Sequence, residues 1–139
     1  MALNVELLQS SFALVAPRAD ELADYFYDRL FSDFPAVVPL FDAVEMPEQK
    51  KKLLASLKLV VENLRRPDVL ESALKDMGLR HVDYGAREEH YPAVGQTLLK
   101  SLAHVAGDAW NPELTDAWAE AYSVVADLML AGAEEVVVA

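Results

Sequence analysis

Apolar residues recur at three- and four-residue spacing along almost the whole chain, which predicts helices that bury one face. Leu7, Leu8, Phe12 and Val15 form a first stripe that stops near Pro17. Leu22, Phe26, Leu30 and Phe31 form a second, starting near Asp20 and ending before Phe34-Pro35. A residue preceding proline is driven out of helical geometry, so Pro35 and Pro39 bracket a short corner. Residues 42–47 read as a loop, with Pro47 suited to the first turn of a third long helix and Glu48 at the positive end of its dipole. That helix carries Leu53, Leu57, Val60, Val61 and Leu64 and is expected to stop at Arg66-Pro67. A shorter one follows from Val69 to His81 through Leu70, Leu74, Met77 and Leu79. Gly85 then allows a turn before Tyr91, Val94, Leu98, Leu102 and Val105. Gly107 and Pro112 separate that stripe from the longest one, through Leu114, Trp118, Tyr122, Val125, Leu128 and Met129. Trp118 and Tyr122, one turn apart, are expected to pack against the first helices. The pattern predicts one all-α domain, residues 1–139, of about six main helices. Their uneven lengths and the proline corner suit steep crossings better than an up-down bundle.

Composition narrows the partners. The 53% hydrophobic share supports a real core, and five glycines without an Asn-Gly or Asp-Gly pair are too few for a hairpin-rich fold. Acidic residues outnumber basic ones 23 to 12, a formal net charge of -11 that repels phosphate backbones and anionic lipid. No nucleic acid partner and no membrane span are expected. The absence of cysteine removes disulfides, thiolate metal sites, iron–sulfur clusters and thioether attachment of a cofactor. With no basic, apolar leader at Met1-Ala2-Leu3-Asn4, a cytoplasmic location is expected.

The three histidines, His81, His90 and His104, are nine (81 to 90) and fourteen (90 to 104) residues apart, which fits no zinc motif. No serine sits in a nucleophile-elbow glycine pattern and no glycine loop could cradle phosphate, so no catalytic residue is assigned. His90 reads as a helix-start residue and His104 as an exposed one. His81 has a more specific setting: Met77, one turn earlier on the same face, can offer its carbonyl to one ring nitrogen and leave the other to ligate a metal.

The order Phe26-Tyr27-x-x-Leu30-Phe31, Pro39-Leu40-Phe41, Leu79-Arg80-His81, His90-Tyr91-Pro92-x-Val94-Gly95 and Asp116-Ala117-Trp118-x-x-Ala121-Tyr122 resembles the bacterial single-domain haemoglobins and the globin domain of flavohaemoglobins. The likeness runs from about Val5 to Met129 and implies a globin fold around one non-covalent haem b, iron protoporphyrin IX. It places His81 at the proximal iron ligand and Phe41 at the phenylalanine wedged against the haem. Tyr27 falls on the distal tyrosine that donates to iron-bound dioxygen. Gln49 falls on the distal glutamine when the third long helix is aligned through Lys52-Leu53-Leu54, whereas an ungapped count from Phe41 puts Lys51 there. Leu53, Met77 and Val94 would line the pocket, and Lys52 or Arg80 would meet a haem propionate. Tyr91 matches the proximal-side tyrosine, or else satisfies its hydroxyl locally as a buried core residue. The glutamate that accompanies it in that family falls on Ala133, with Glu134 beside it. A one-residue slip turns a helical side chain by about 100°, so Glu134 is no simple substitute and peroxidase-like activation of oxygen is not implied.

The expected function is reversible binding of dioxygen or another diatomic gas, for storage, transport or scavenging. The enzyme alternative is nitric oxide dioxygenation with a separate reductase, since no flavin or nicotinamide domain follows Ala139. A third reading is a haem-based gas sensor or a haem-free globin-like interaction module, and the chain is expected to be a monomer or homodimer.

Overall fold

The computed structural model describes residues 3–42, 44–83 and 88–138, with side chains through residue 133 apart from residue 83. Among the described residues the regular secondary structure is helical: six α-helices with three intervening 3-10 turns. They are α1 (Val5–Val15), α2 (Ala19–Asp33), α3 (Met46–Glu62), α4 (Pro67–Asp83), α5 (His90–Ala106) and α6 (Pro112–Val138). None of the described helices is long and apolar enough to cross a membrane.

The boundaries follow local chemistry. Asn4 caps α1 by accepting the Leu7 amide at 3.1 Å, satisfying a donor that the first turn leaves orphaned. Phe34 leaves helical geometry (φ -132, ψ 67) ahead of Pro35, and a 3-10 turn over Pro35–Phe41 makes the corner. α3 ends at Glu62, earlier than the expected Arg66-Pro67 stop. The Asn63 side chain bonds the Leu59 carbonyl at 2.8 Å, and its own amide is shared between the Leu59 and Val60 carbonyls, closing the last turn. Leu64 therefore sits beyond the helix yet still packs inward. α4 opens on Pro67 rather than Val69, as proline suits a first helical position. Gly85 lies outside the described residues. Gly107 ends α5 with φ +59, a left-handed conformation that a Cβ would penalise.

The apolar stripes meet in two clusters. The larger joins Leu8 and Val15 of α1, Leu22, Phe26, Tyr27 and Leu30 of α2, Val61 of α3, Leu98, Leu102 and Val105 of α5, and Trp118 and Ala121 of α6. The smaller centres on Leu70 and Leu74 of α4 and Met129 of α6. Trp118 packs on α1 as expected, its Phe12 neighbour at 6.4 Å between ring centroids and its indole N–H donating to Ser11 Oγ at 2.9 Å. Tyr122 packs on the same larger cluster. One turn further along α6 the helix passes α5, and the Tyr122 ring lies over Gly95.

α2 crosses α5, α3 rests on α2 and α1, and α4 lies along α6. Among the described residues the α3 and α4 backbones have at most marginal approach, and the Val60 side chain of α3 packs on the smaller cluster. Half-buried apolar side chains flank this division: Phe41, Leu53 and Leu57 beside the larger cluster, and Val60, Met77, Tyr91 and Leu128 beside the smaller.

Candidate functional site

The two sides of that division carry different chemistry. On the α2–α3 side Tyr27 is 4 % exposed, its ring held edge-on by Phe26 at 4.9 Å and Phe41 at 5.7 Å, with Phe31 at 5.9 Å. Phe31 and Phe41 contact each other at 5.2 Å, so the proline corner delivers Phe41 into an aromatic cage around the tyrosine. The Gln49 amide donates to the Tyr27 hydroxyl oxygen at 3.2 Å. That leaves the phenol's own hydrogen for a further acceptor.

The phase of α3 brings Gln49, and not Lys51, to the Tyr27 hydroxyl. Its first turn closes where the Gln49 amide donates to the Glu45 carbonyl at 3.0 Å, and Lys50 pairs with Asp24 on α2 at 2.9 Å. Lys51, the alternative from an ungapped count, is exposed and faces Glu48 at 3.6 Å. The Lys50–Asp24 tie was not legible in the sequence, where the lysine run reads as a solvated face. It spans two helices whose approach no local pattern encodes.

Across the division, His81 is half-buried in the last turns of α4, and its Nδ1–H donates to the Met77 carbonyl at 2.6 Å. A carbonyl only accepts, so this bond places the basic lone pair of the neutral imidazole on Nε2, the candidate metal-ligating atom. Burial lowers the His81 pKa from its ordinary value, the Met77 carbonyl opposes the shift, and the Arg80 charge adds to it. Met77 and Tyr91 pack on the smaller cluster, while Val94 packs on the larger. Tyr91 is half-buried, and its carbonyl accepts from the Tyr122 hydroxyl at 2.6 Å. This clamp on the start of α5 was missed in the sequence. Its signal was Gly95, which leaves room for the ring: a Cβ there would stand 2.6 Å from Tyr122 Cε2.

Lys52 and Arg80 are exposed on α3 and α4, and Leu53 is half-buried one turn after Gln49. Ala133 is half-buried on α6, and the Glu134 side chain lies outside the described residues. His90 opens α5. His104 is exposed, with its ring stacked on Tyr25 at 4.0 Å.

Burial raises the pKa of Tyr27 above the ordinary 10.0, opposed in part by the Gln49 bond, and raises Tyr91 and Tyr122 as well. Each therefore remains a neutral hydroxyl at physiological pH. Because the folded value lies above the unfolded one, the unfolded chain ionises first. The associated stability is whole below pH 10.0 and is lost as pH rises from there through the folded value. Alkaline titration of the phenolate absorbance checks this: subtracting the curve of Tyr27→Phe from wild type should isolate a step above pH 10.0, and a step at or below it would contradict the burial.

The architecture places the chain in the all-α class. Residues 24–129 match the globin family, and the chain belongs to that family. It is 34% identical over 131 residues to a flavohemoprotein of Rhizobium meliloti, covering 93% of this chain and 32% of that protein. It is 29% identical over 129 residues to the Bacillus subtilis flavohemoprotein, covering 91% and 32%. The chain thus spans about a third of the length of these relatives. The fold is shared with a bacterial globin from Campylobacter jejuni, with a TM-score of 0.85, 24% identity and 97% of both chains covered. An engineered carbene transferase from Rhodothermus marinus superposes with a TM-score of 0.88 at 24% identity, covering 99% of this chain and 97% of that one.

Proposed function

We propose that this chain is a single globin domain that holds one haem b through His81 and reversibly binds dioxygen or another diatomic gas, with Tyr27 and Gln49 facing the gas. The observation that carries the reading is the Tyr27–Gln49 bond at 3.2 Å inside an aromatic cage. Burying a hydroxyl and an amide costs desolvation energy that packing alone would avoid by placing apolar groups there. The pair makes sense as a polar recognition element for a small ligand.

The residues fit a haem. An imidazole lone pair on Nε2 stands on one side, and apolar walls from Phe41, Leu53, Met77 and Val94 suit a flat apolar macrocycle. The exposed cations of Lys52 and Arg80 suit its propionates. When bound, the haem would supply an iron able to take a nitrogen ligand from the protein and a diatomic gas. His81 Nε2 would hold that iron, and the Met77 carbonyl fixes which nitrogen that is and raises its basicity. The Tyr27 hydroxyl donates toward a partly negative gas, while Gln49 orients the phenol by donating to its oxygen. The aromatic cage excludes water from that bond and strengthens it.

Titration of the purified chain with hemin tests the reading. A Soret band saturating at one haem per chain, followed after reduction by reversible oxygen and carbon monoxide spectra, is expected. A chain that stays colourless with hemin would overturn it.

The likeness to flavohemoproteins favours a second reading, nitric oxide dioxygenation, in which nitric oxide, dioxygen and one electron from a separate reductase give nitrate. Sustained nitrate production with a supplied reductase and nicotinamide would promote it above gas binding. A single stoichiometric turnover would leave binding as the function.

A further inference from the structure

We propose that the crossing of α4 and α6 at Gly78 and Gly132 is a positioning device for the proximal imidazole: the α6 backbone at Met129 holds in place the peptide whose carbonyl orients His81. This rests on the haem reading above.

The two glycines are reciprocal. A Cβ on Gly78 would overlap the Met129 carbonyl oxygen and stand 2.5 Å from its carbonyl carbon and 2.7 Å from its Cα. A Cβ on Gly132 would overlap the Lys75 carbonyl oxygen and stand 2.6 Å from Lys75 Cα. Every one of these atoms is backbone, so no side chain can swing aside to make room. The two helices are in main-chain contact at two points about one turn apart, and Leu74 and Met129 pack beside them, 0 % and 8 % exposed.

Gly78 occupies a particular place in α4. The Met77 carbonyl that accepts from His81 Nδ1 belongs to the Met77–Gly78 peptide, and a peptide unit is planar and rigid. Gly78 Cα and the Met77 oxygen therefore move together. A methyl group at Gly78 must lift that peptide away from α6, and the acceptor of the imidazole hydrogen bond is displaced with it. At 2.6 Å the bond is short, so a few tenths of an ångström alter it appreciably. The basicity of His81 toward iron is thus set from α6, through backbone contact.

The test uses the full chain loaded with haem. Gly78→Ala should shift the iron–histidine stretching band of the ferrous, gas-free protein to lower frequency and speed haem loss by about 10–100-fold, the usual cost of losing a ligand's outer partner. Gly132→Ala, which meets Lys75 two residues before Met77, should shift the band in the same direction. Leu8→Ala, in the larger cluster away from α4, should lower Tm and leave the band where it is. An unmoved band in both glycine variants, or an equal shift in Leu8→Ala, overturns the proposal. Should neither glycine variant fold, wild type decides by NMR. The His81 Nδ1–H should exchange with solvent only as fast as the protein globally unfolds, and faster exchange sinks the device. Failure of wild type to take up haem strikes the underlying reading instead, and the exchange measurement on the haem-free chain still judges the crossing.

Discussion

His81→Ala should abolish the Soret band of the reduced protein under conditions that saturate wild type. Among the described residues His81 is the histidine of α4, and its Nδ1–H donates to the Met77 carbonyl at 2.6 Å, which turns the ligating lone pair to Nε2. Alanine removes the ligand and leaves apolar contact alone to retain the haem. Ligand-linked stability goes with it: a ligand present at a thousand times its Kd stabilises by about 4 kcal/mol. For a domain of this size that corresponds to a fall in Tm on the order of 10–15 °C relative to the haem-loaded wild type. The haem-free forms of the two proteins should melt much closer together, because the mutation removes little packing from a half-buried position. Free imidazole added to the variant should restore the band by filling the space left by the side chain. A variant that keeps an unchanged five-coordinate ferrous spectrum without imidazole would show that His81 is not the axial ligand.

Most of the fold was written in the spacing of apolar residues, because each helix buries a stripe and prolines mark its ends. Pro17, Pro35, Pro47, Pro67 and Pro112 all stand at or beside helix boundaries. What periodicity could not give was the phase of α3 relative to α2. Gln49 and Lys51 are two residues apart, a rotation of roughly 200° on a helix, so a small change in the preceding loop exchanges an inward for an outward side chain. The structure turns Gln49 to Tyr27 and Lys51 to Glu48. The end of α3 was missed because Asn63 stops it through a side-chain bond to Leu59, a local competitor with no hydrophobic signature. The seat of the Tyr122 ring over α5 was not legible for another reason. Its neighbour is decided by where α6 passes α5 at Gly95, and a glycine required by close approach looks in sequence like any other. The same holds for Gly78 and Gly132, whose partners lie more than fifty residues away. Long-range backbone contact leaves a trace in the chain only as a missing side chain.

Tyr27→Phe should raise the oxygen dissociation rate roughly 10–100-fold, because a hydrogen bond to a charged or partly charged acceptor is worth about 1.5–3 kcal/mol and each 1.4 kcal/mol is a factor of ten. Phenylalanine keeps the ring among Phe26, Phe31 and Phe41, so the cage survives and the loss is confined to the hydroxyl. The association rate should change much less, since the bond forms only after the gas has arrived. Gln49→Leu tests the companion role. Its amide orients the phenol at 3.2 Å, so its removal should raise the same rate by less than Tyr27→Phe does. The double variant separates two arrangements. If Gln49 acts only through Tyr27, then Tyr27→Phe/Gln49→Leu dissociates no faster than Tyr27→Phe. If Gln49 donates to the gas once the phenol is gone, the double variant is faster still. Replacement of oxygen by carbon monoxide in a stopped-flow instrument measures all four proteins. A Tyr27→Phe rate within twofold of wild type would mean that the buried hydroxyl, despite its aromatic cage and amide partner, does not hold the gas.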